Sequence, residues 1–395
     1  MKRAYVIAAL SAGWQYLPVS GQYFPLVEYS GTTFFSGFDF YGTIDNTTWG
    51  NVSYVDQANA TNDHLAYVNA NGNAIIKVDN TSTVEGTGIL YRNSVRLTSK
   101  EEFPIGTLFV IDALHMPYGC SVWPSIWLNG VLEPGQEWPA AGEIDLVESI
   151  NLMDHNQMAL HSYAGCVQAP VALQAQSGHT IISNCNDTTA SGCTVGETKP
   201  NSFGSGFAAA NGGAFALQFD VSGIYMWFWS RLDIPASLAQ ATATSTMNLS
   251  DWGTPSAAYP AAGCNITEFF PAQHLVIDIT LCGLWAGIPS IYSSTCPGNC
   301  FASNVLGNGS NYANAYFEIP YIRTWTVNPP GTTNNTVSTA PQTTGAASGS
   351  VSVPLPDTTT SSVPSAGHSL ALVWWQRGWG GAVALVLVLD WLYST

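Results

Sequence analysis

Residues 143 to 148 read E-I-D-L-V-E, which places three carboxylates in a hexapeptide that otherwise has the apolar character of a buried strand. Charged residues make up only 9% of the 395-residue chain. Successive side chains of a strand point to opposite faces, so Glu143 and Asp145 share a face and strict alternation would send Glu148 to the other. A one-residue bulge shifts the alternation by one position and returns Glu148 to the face of Glu143 and Asp145. We therefore predict a bulged strand with all three acids on one face and Val147 turned toward the core.

Three acids on one face repel one another. The repulsion is relieved when one carboxyl group holds a proton near neutral pH while a neighbour stays ionised. Hydrolysis of a glycosidic bond needs this division, because one carboxyl group protonates the leaving oxygen while another attacks the anomeric carbon or activates a water. The alternative is a solvated acidic edge strand, the usual setting of clustered charges. The apolar residues that alternate with the acids, together with the flanking Trp-Pro and Gly residues, favour the catalytic interpretation.

Motifs on both sides of the acidic strand resemble those of one enzyme family. The runs W-P-S-I-W-L-N-G (123 to 130) and E-W-P-A-A-G-E-I-D-L-V-E-S-I-N (137 to 151) resemble the catalytic segment of glycoside hydrolase family 16, in its fungal endo-1,3(4)-β-glucanase, or laminarinase-like, branch. The similarity continues in F-F-S-G-F-D-F (34 to 40), N-Q-M-A-L-H-S (156 to 162), F-W-S-R (228 to 231), W-G-T-P (252 to 255), C-G-L-W-A-G (282 to 287) and C-P-G-N-C (296 to 300). It spans residues 22 to 327.

The resemblance implies a β-jelly roll, in which two curved antiparallel sheets form a concave cleft for an extended glucan. By motif position, Glu143 is expected to be the nucleophile, Glu148 the general acid/base, and Asp145 the residue that orients and tunes them. The family retains the anomeric configuration, which requires the two carboxyl groups to lie about 5 to 5.5 Å apart. The expected reaction is endo-hydrolysis of 1,3- or mixed 1,3;1,4-β-glucan through a covalent glycosyl-enzyme, without cofactor or catalytic metal.

His161 is expected to lie close to the carboxylates, on a strand that returns after the turn at residues 151 to 156. Family members have a histidine here that supports the catalytic acids, although a histidine on an apolar strand can also be purely structural. Tryptophan rings can stack on the apolar face of a sugar or fill a core. Trp127 and Trp138 flank the acidic strand, and Trp285 occupies a position where the family places a substrate-contacting Trp. These three are the predicted platforms.

One position departs from the family pattern near the cleft. The motif that usually reads C-G-D-W-A-G has Leu284 in place of the aspartate. A polar group is thereby lost, and we expect the preference for individual sugar subsites to differ.

Composition favours one folded, all-β domain over residues 22–327. Short β-branched and aromatic runs alternate with turns in a chain that has 37 Gly and 22 Pro, and long helical periodicity is absent. Acidic residues number 26 against 10 Lys and Arg. This balance argues against nucleic acid as a partner and is compatible with a neutral polysaccharide. An open cleft needs no partner subunit, so we expect a monomer.

The eight cysteines and the glycosylation sequons indicate an exported protein. An even cysteine set in a secreted chain predicts disulfides, with 105 possible connectivities. Zinc is the alternative for the C-x3-C pair Cys296 and Cys300, but no second pair accompanies them. These two are expected to lie close together, bonded to each other or not. Sequons occur at Asn46, Asn51, Asn59, Asn80, Asn186, Asn248, Asn265, Asn308 and Asn334.

Both ends of the chain have the pattern of processing signals. Residues 1–21 have a short basic and apolar start typical of a signal peptide. Residues 328–367 are rich in Ser, Thr, Pro, Gly and Ala and predict a disordered stalk. Residues 368–395 end in an apolar run after small residues and a spacer, which resembles a GPI-attachment signal; a single membrane span and a cleaved tail are the alternatives. A secreted, surface-tethered protein is expected.

Three functions remain open from the sequence. The first is the endo-β-glucanase activity. The second is transglycosylation of cell-wall glucan, in which an acceptor sugar replaces water on the same intermediate. The third is a glucan-binding lectin without catalysis, because a jelly roll does not determine function. Retention of all three acids favours the two enzymes.

Overall fold

The computed structural model describes residues 21–170 and 175–328, which form two large antiparallel sheets packed face to face. The strands are β1 Phe24–Ser30, β2 Phe38–Phe40, β3 Val52–Tyr54, β4 Ala66–Val68, β5 Ala74–Lys77, β6 Arg92–Ser94, β7 Arg96–Phe103, β8 Thr107–Ala113, β9 Val122–Gly130, β10 Glu143–Glu148, β11 Gln157–His161, β12 His179–Ile182, β13 Cys193–Gly196, β14 Gly213–Asp220, β15 Gly223–Ser230, β16 Ala257–Pro260, β17 Gln273–Leu281, β18 Tyr316–Ile319 and β19 Tyr321–Thr326. The predicted jelly-roll class is confirmed. Of the predicted processing segments, only Gly21 and Asn328 fall within the described residues.

One large sheet has eight strands in the order β12-β13-β11-β10-β9-β17-β7-β2, and the other has six in the order β1-β19-β8-β14-β15-β16. Smaller sheets, β18-β5-β4 and the parallel pair β3-β6, flank them. Helices are short: α1 Gln57–Asn62, α2 Asp187–Ala190, α3 Gly204–Ala209, α4 Ala236–Ala239, α5 Ile266–Phe269, α6 Gly283–Ala286 and α7 Pro289–Thr295. Short 3-10 helices cover Gly31–Gly37, Arg231–Asp233 and Ser310–Tyr312, and a π-helical turn covers Phe301–Val305. The acidic strand β10 lies fourth in the eight-stranded sheet.

The main core lies between the two large sheets. Alternate residues of β10 and β9 point into it, including Ile144, Leu146 and Ile126, and they meet Phe109 and Phe215 from the six-stranded sheet. Each such side chain contributes about 1.5–3 kcal/mol on full burial. This apolar layer fixes the inner face of β10, so the alternate residues of the strand must point outward.

The outer face of the six-stranded sheet has its own apolar cover. Trp227 and Trp229 of β15 pack edge-to-face against Trp252, which ends the segment that crosses this face. These three tryptophans therefore fill an apolar cluster and are not sugar platforms in the cleft. The acids instead lie on the outer face of the eight-stranded sheet.

Four disulfides join Cys120 to Cys296, Cys166 to Cys264, Cys185 to Cys193, and Cys282 to Cys300. The C-x3-C pair is therefore not bonded to itself, because each member has a distant partner. The bond from Cys282 to Cys300 fastens the start of α6, and the bond from Cys185 to Cys193 closes the short loop that contains α2. Within the described ranges, no helix is both long and apolar enough to cross a bilayer.

Candidate active site

The predicted bulge is present in β10. Asp145 faces Trp127 of β9, but Val147 faces the very next residue, Ile126, so β10 carries one extra residue at this point. The same shift appears against β11, where Asp145 faces Ala159 and Glu148 faces Gln157. Val147 is fully buried in the core, whereas Glu148 is only partly buried. The extra residue thus brings Glu143, Asp145 and Glu148 to one face.

A buried asparagine, Asn156, holds the bulge in place. Its side-chain amide donates to the Leu146 carbonyl over 2.9 Å, and its Oδ1 accepts from the Glu148 backbone N–H over 3.0 Å. These are backbone groups that lose their ladder partners where the register slips. The backbone of Asn156 is in turn fixed by the Ser202 hydroxyl, which accepts its N–H over 3.0 Å. One side chain therefore sets the direction in which Glu148 leaves the strand.

Replacing Asn156 with alanine should impair both stability and activity. The change leaves two buried backbone groups without partners, at about 1–3 kcal/mol each. We expect a lower denaturant midpoint and a kcat reduced by roughly 10-fold or more, because a misdirected general acid loses a large part of its 10²–10⁴-fold contribution. The matched control is Asn304→Ala, which removes a buried amide bonded to Tyr292 and to the Cys300 carbonyl. It should lower stability while leaving kcat of the folded protein unchanged; equal kcat in both variants would contradict the assignment.

His161 lies beside the acids, between carboxylates on both of its nitrogens. It faces Glu143 across the β10–β11 pair, and its Nε2 lies 3.1 Å from Asp145 Oδ2 and 4.0 Å from Glu143 Oε1. Its Nδ1 lies 2.7 Å from Asp187 Oδ1, on the other side of the ring. The predicted proximity of His161 to the acids is therefore observed, and Asp187 is an additional partner.

Each outer glutamate accepts a hydrogen bond from a tryptophan. Trp138 Nε1 donates to Glu143 Oε2 and Trp123 Nε1 donates to Glu148 Oε1, both over 2.8 Å. Trp138 is 47% exposed, so its ring is available to a ligand, and Trp285 packs edge-to-face against Trp123 with 5.5 Å between ring centroids. Two of the three predicted platforms, Trp138 and Trp285, thus border the acids with accessible surface.

Trp127 is placed differently from the other two predicted platforms. Its ring is only 9% exposed, and the Arg96 guanidinium lies 5.1 Å from its centroid. Arg96 also stands 4.7 Å from the ring of Tyr41 and forms an ion pair with Asp278 at 3.9 Å. Trp127 is therefore part of a packed floor beneath the acids, and its role as a platform stays a prediction.

Burial and mutual repulsion raise the pKa values of the two glutamates. Burial, reinforced by the negative charge of Asp145, raises the pKa of Glu143 and raises the pKa of Glu148 well above its ordinary value. Burial alone would lower the pKa of His161, but the Asp145 and Asp187 carboxylates outweigh it, and the pKa lies well above 6.5. The two carboxylates thus favour the protonated, cationic form of His161.

The two glutamates differ in what opposes their protonation. Glu143 has the His161 cation 4.0 Å away and the Trp138 N–H, and both lower its pKa. For Glu148 the main opposing contact is the Trp123 N–H. Since an opposite charge nearby favours the ionised form, Glu143 should lose its proton first and Glu148 should keep its own. The environment separates the two carboxyl groups into a base and an acid.

Glu143, Asp145 and His161 could geometrically hold a metal ion, since one ligand atom from each lies within 4.8 Å of the others. A metal-ligating histidine must offer a neutral nitrogen. In this structure both ring nitrogens of His161 lie against carboxylates, Nε2 against Asp145 and Nδ1 against Asp187.

Comparison with known proteins places this arrangement in a family. Residues 38–325 match the family model of the XgeA-like catalytic domain of glycoside hydrolase family 16. The chain belongs to glycoside hydrolase family 16. The predicted family and branch are thereby confirmed.

Curated fungal relatives of this family 16 chain share about a third of its residues. A probable glycosidase of Schizosaccharomyces pombe is 35% identical over 74% of this chain and 66% of its own length. A probable endo-1,3(4)-beta-glucanase of Aspergillus niger is 34% identical over 80% of this chain and 42% of its own length. The chain therefore spans between about two fifths and two thirds of the length of these relatives.

Two solved family 16 structures superimpose on the chain. Laminarinase 16A from Phanerochaete chrysosporium, with beta-glucans in both donor and acceptor sites, has a TM-score of 0.71 at 36% identity and covers 77% of this chain and 100% of its own. An elongating family 16 beta-1,3-glucosyltransferase has a TM-score of 0.68 at 34% identity, with the same coverage of 77% and 100%. Both are similar along their whole length to the described jelly roll.

Sequence reasoning missed three residues of this family 16 site: Trp123, Asn156 and Asp187. Trp123 and Asn156 lie inside motifs that were quoted for the resemblance, so closer attention to their polar side chains could have found them. Asp187 carries no comparable signal. It begins the short helix α2, 26 residues after its partner His161, and only the fold brings the two together.

Proposed function

We propose that the chain is a retaining endo-β-glucanase that cleaves 1,3- or mixed 1,3;1,4-β-glucan through a covalent glycosyl-enzyme. The observation that carries this proposal is the set of three acids on one face, with His161 Nε2 4.0 Å from Glu143 and the Trp123 N–H bonded to Glu148. The family relatives named endo-1,3(4)-beta-glucanase support the substrate class. No cofactor enters the reaction.

In the first step Glu143 attacks the anomeric carbon while Glu148 donates its proton to the leaving glycosidic oxygen. The bond to the aglycone breaks as the ester to Glu143 forms. In the second step Glu148, now a carboxylate, removes a proton from water, and the resulting oxygen displaces Glu143. Asp145 lies between them on the strand and holds His161 at 3.1 Å. Two inversions give net retention.

Product analysis tests the proposal. The purified protein should release a series of reducing oligosaccharides from laminarin and lichenan, with the newly formed ends appearing first as the β-anomer by NMR. The ratio of the rate on laminarin to the rate on lichenan gives the linkage preference. Release of glucose alone, or first appearance of the α-anomer, would contradict an endo-acting, retaining enzyme.

The similarity to an elongating β-1,3-glucosyltransferase supports transglycosylation as a second candidate on the same site. An acceptor sugar hydroxyl would then replace water in the second step. Incubation of laminarin oligosaccharides with a fluorescent acceptor separates the two functions, because only a transferase gives labelled products longer than the donor. At low acceptor concentration, a hydrolase gives only shorter products, because water then outcompetes the acceptor for the intermediate.

We also propose that the protein is secreted and tethered to the cell surface by a GPI anchor. The support is the sequence of residues 1–21 and 368–395, the sequon density and the four disulfides. Release of the protein from intact cells by a phosphatidylinositol-specific phospholipase would support the anchor. Retention after that treatment, with release only by detergent, would favour a membrane span.

Glycan occupancy should differ between the sequons. Asn186 is 7% exposed and its Oδ1 accepts from the Thr188 N–H and hydroxyl, so a glycan there would displace Asp187 beside the acids. Asn59 and Asn248 are exposed. Glycopeptide mapping of the active, secreted protein is expected to find Asn186 unmodified and these exposed sites occupied. Full occupancy at Asn186 would contradict the loop conformation.

A further inference from the structure

We propose that Asp187 is a positioning residue for the catalytic acids, fixing the orientation and charge of His161 from the side opposite to Asp145. This inference rests on the proposed glucanase function. Asp187 does not touch the glutamates themselves; it acts through the imidazole, whose Nδ1 lies 2.7 Å from its Oδ1. The chain of contacts runs from Asp187 to His161 and from there to Asp145 and Glu143.

The loop that carries Asp187 is built around His161. Cys193 faces Leu160 across the β11–β13 pair. On the other side of His161, the Asp187 N–H donates to the Ser162 carbonyl over 3.0 Å and the Ser162 N–H donates to the Cys185 carbonyl over 2.9 Å. The disulfide from Cys185 to Cys193 closes the loop between these two attachments. Asp187 is thus held by main-chain bonds beside the histidine that it contacts.

Gly192, within the same loop, leaves the room that the imidazole needs. A Cβ at this residue would lie 2.6 Å from His161 Nδ1 and 2.8 Å from the Leu160 carbonyl oxygen, and the backbone φ of +75° itself favours glycine. The loop therefore accommodates the ring tightly on the side that faces Asp187. A surface loop without a role at His161 would have no need of this fit.

The charges around His161 explain what the contact does. Glu143 and Asp145 face the ring from β10, Asp187 faces it from α2, and the ring of Trp138 lies 6.0 Å away. The ring has an ion-pair contact at Nε2 with Asp145 and a hydrogen bond at Nδ1 with Asp187, so both carboxylates favour its protonated form and a rotation of the ring would break the bond to Asp187. The resulting cation is the group that favours ionised Glu143. Asp187 therefore supports the nucleophile at a distance.

Asp187→Asn tests this, because asparagine keeps the size and an acceptor oxygen but removes the charge. We expect kcat on laminarin to fall roughly 10- to 100-fold with little change in KM, since Asp187 contacts no substrate. His161 should lose its proton at a lower pH, and with this cation weakened Glu143 should ionise only at a higher pH, so the acid limb of the kcat–pH profile should move to higher pH. The control is Asp154→Asn, which removes an exposed aspartate that pairs with His155 Nδ1 at the same 2.7 Å. It should leave kcat and the profile unchanged.

A second readout does not depend on activity. The histidine ring protons can be titrated by NMR, with the His161 signal assigned by its loss in His161→Gln. We expect a lower His161 pKa in Asp187→Asn than in the parent protein. An unchanged His161 pKa would overturn the inference, even if kcat fell, because a purely structural role would not alter the charge. If the parent protein releases no oligosaccharides, the proposed function fails, while this titration still tests Asp187.

Discussion

Glu143→Gln should abolish hydrolysis of laminarin, with kcat reduced on the order of 10⁴-fold or more. Glutamine has the shape of glutamate and can still accept from Trp138 Nε1, but it cannot form the glycosyl ester. Because the side chain contacts the floor of the site and not the core, the variant should fold with an unchanged denaturant midpoint. Steady-state release of reducing ends, corrected for folded protein, measures the effect.

The matched control for this variant is Glu137→Gln, the same substitution at an exposed position six residues earlier. It should change kcat less than about two-fold, as surface substitutions generally do.

A second experiment, with azide as an external nucleophile, identifies the role of Glu143. In Glu143→Gly, azide should attack the anomeric carbon from the vacated side and give the α-glycosyl azide. Restored rates with the β-azide, or an active Glu143→Gln protein, would assign the nucleophile elsewhere.

Glu148→Gln should lower kcat on laminarin by about 10²–10⁴-fold, the contribution of a general acid. The loss should depend on the leaving group. In an aryl β-laminaribioside with an acidic phenol, the leaving group departs without protonation. The first step of this substrate in Glu148→Gln should therefore be nearly as fast as in the parent protein. The second step lacks its base, and we expect a burst of phenol equal to the enzyme concentration with the glycosyl group trapped on Glu143.

The pH dependence of Glu148 has a definite sign. The group donates a proton, so activity requires its protonated form and is lost as pH rises through its pKa. Because burial and the charge of Asp145 raise that pKa, the alkaline limb of the parent protein should lie far above the range of an ordinary carboxyl group. In Glu148→Gln the burst step with the aryl donor should lose this limb. If the alkaline limb persists in the burst step of Glu148→Gln, the residue that donates the proton is not Glu148.

Much of the site could be predicted from the sequence because strand geometry is local. The alternation of β10, the position of its bulge and the shared face of its three acids follow from six consecutive residues, since burial of Ile144 and Leu146 leaves the acids one face to occupy. The position of His161 beside the acids could be predicted for a similar reason, because a short turn returns β11 antiparallel to β10. The resemblance supplied the fold, which no count of short strands could have specified.

Other features depended on residues that are distant in sequence. The C-x3-C pair remained ambiguous because its true partners, Cys120 and Cys282, are identified only by their approach in space. The low exposure of Trp127 could not be predicted either, because Arg96, whose guanidinium lies over the ring, comes from another strand, β7. The exposure of a tryptophan ring depends on side chains from other strands, so the residues next to it in sequence do not predict it.

By itself, the sequence determined the chemistry that is available: three carboxyl groups, their common face and the family they belong to. Only the tertiary structure decided how those groups are charged. The ionisation of Glu143 and Glu148 depends on burial and on partners such as His161, Asp187 and Trp123, which arrive from other strands and loops. Electrostatic interaction acts through space, so its strength is set by distances that exist only once the chain has folded.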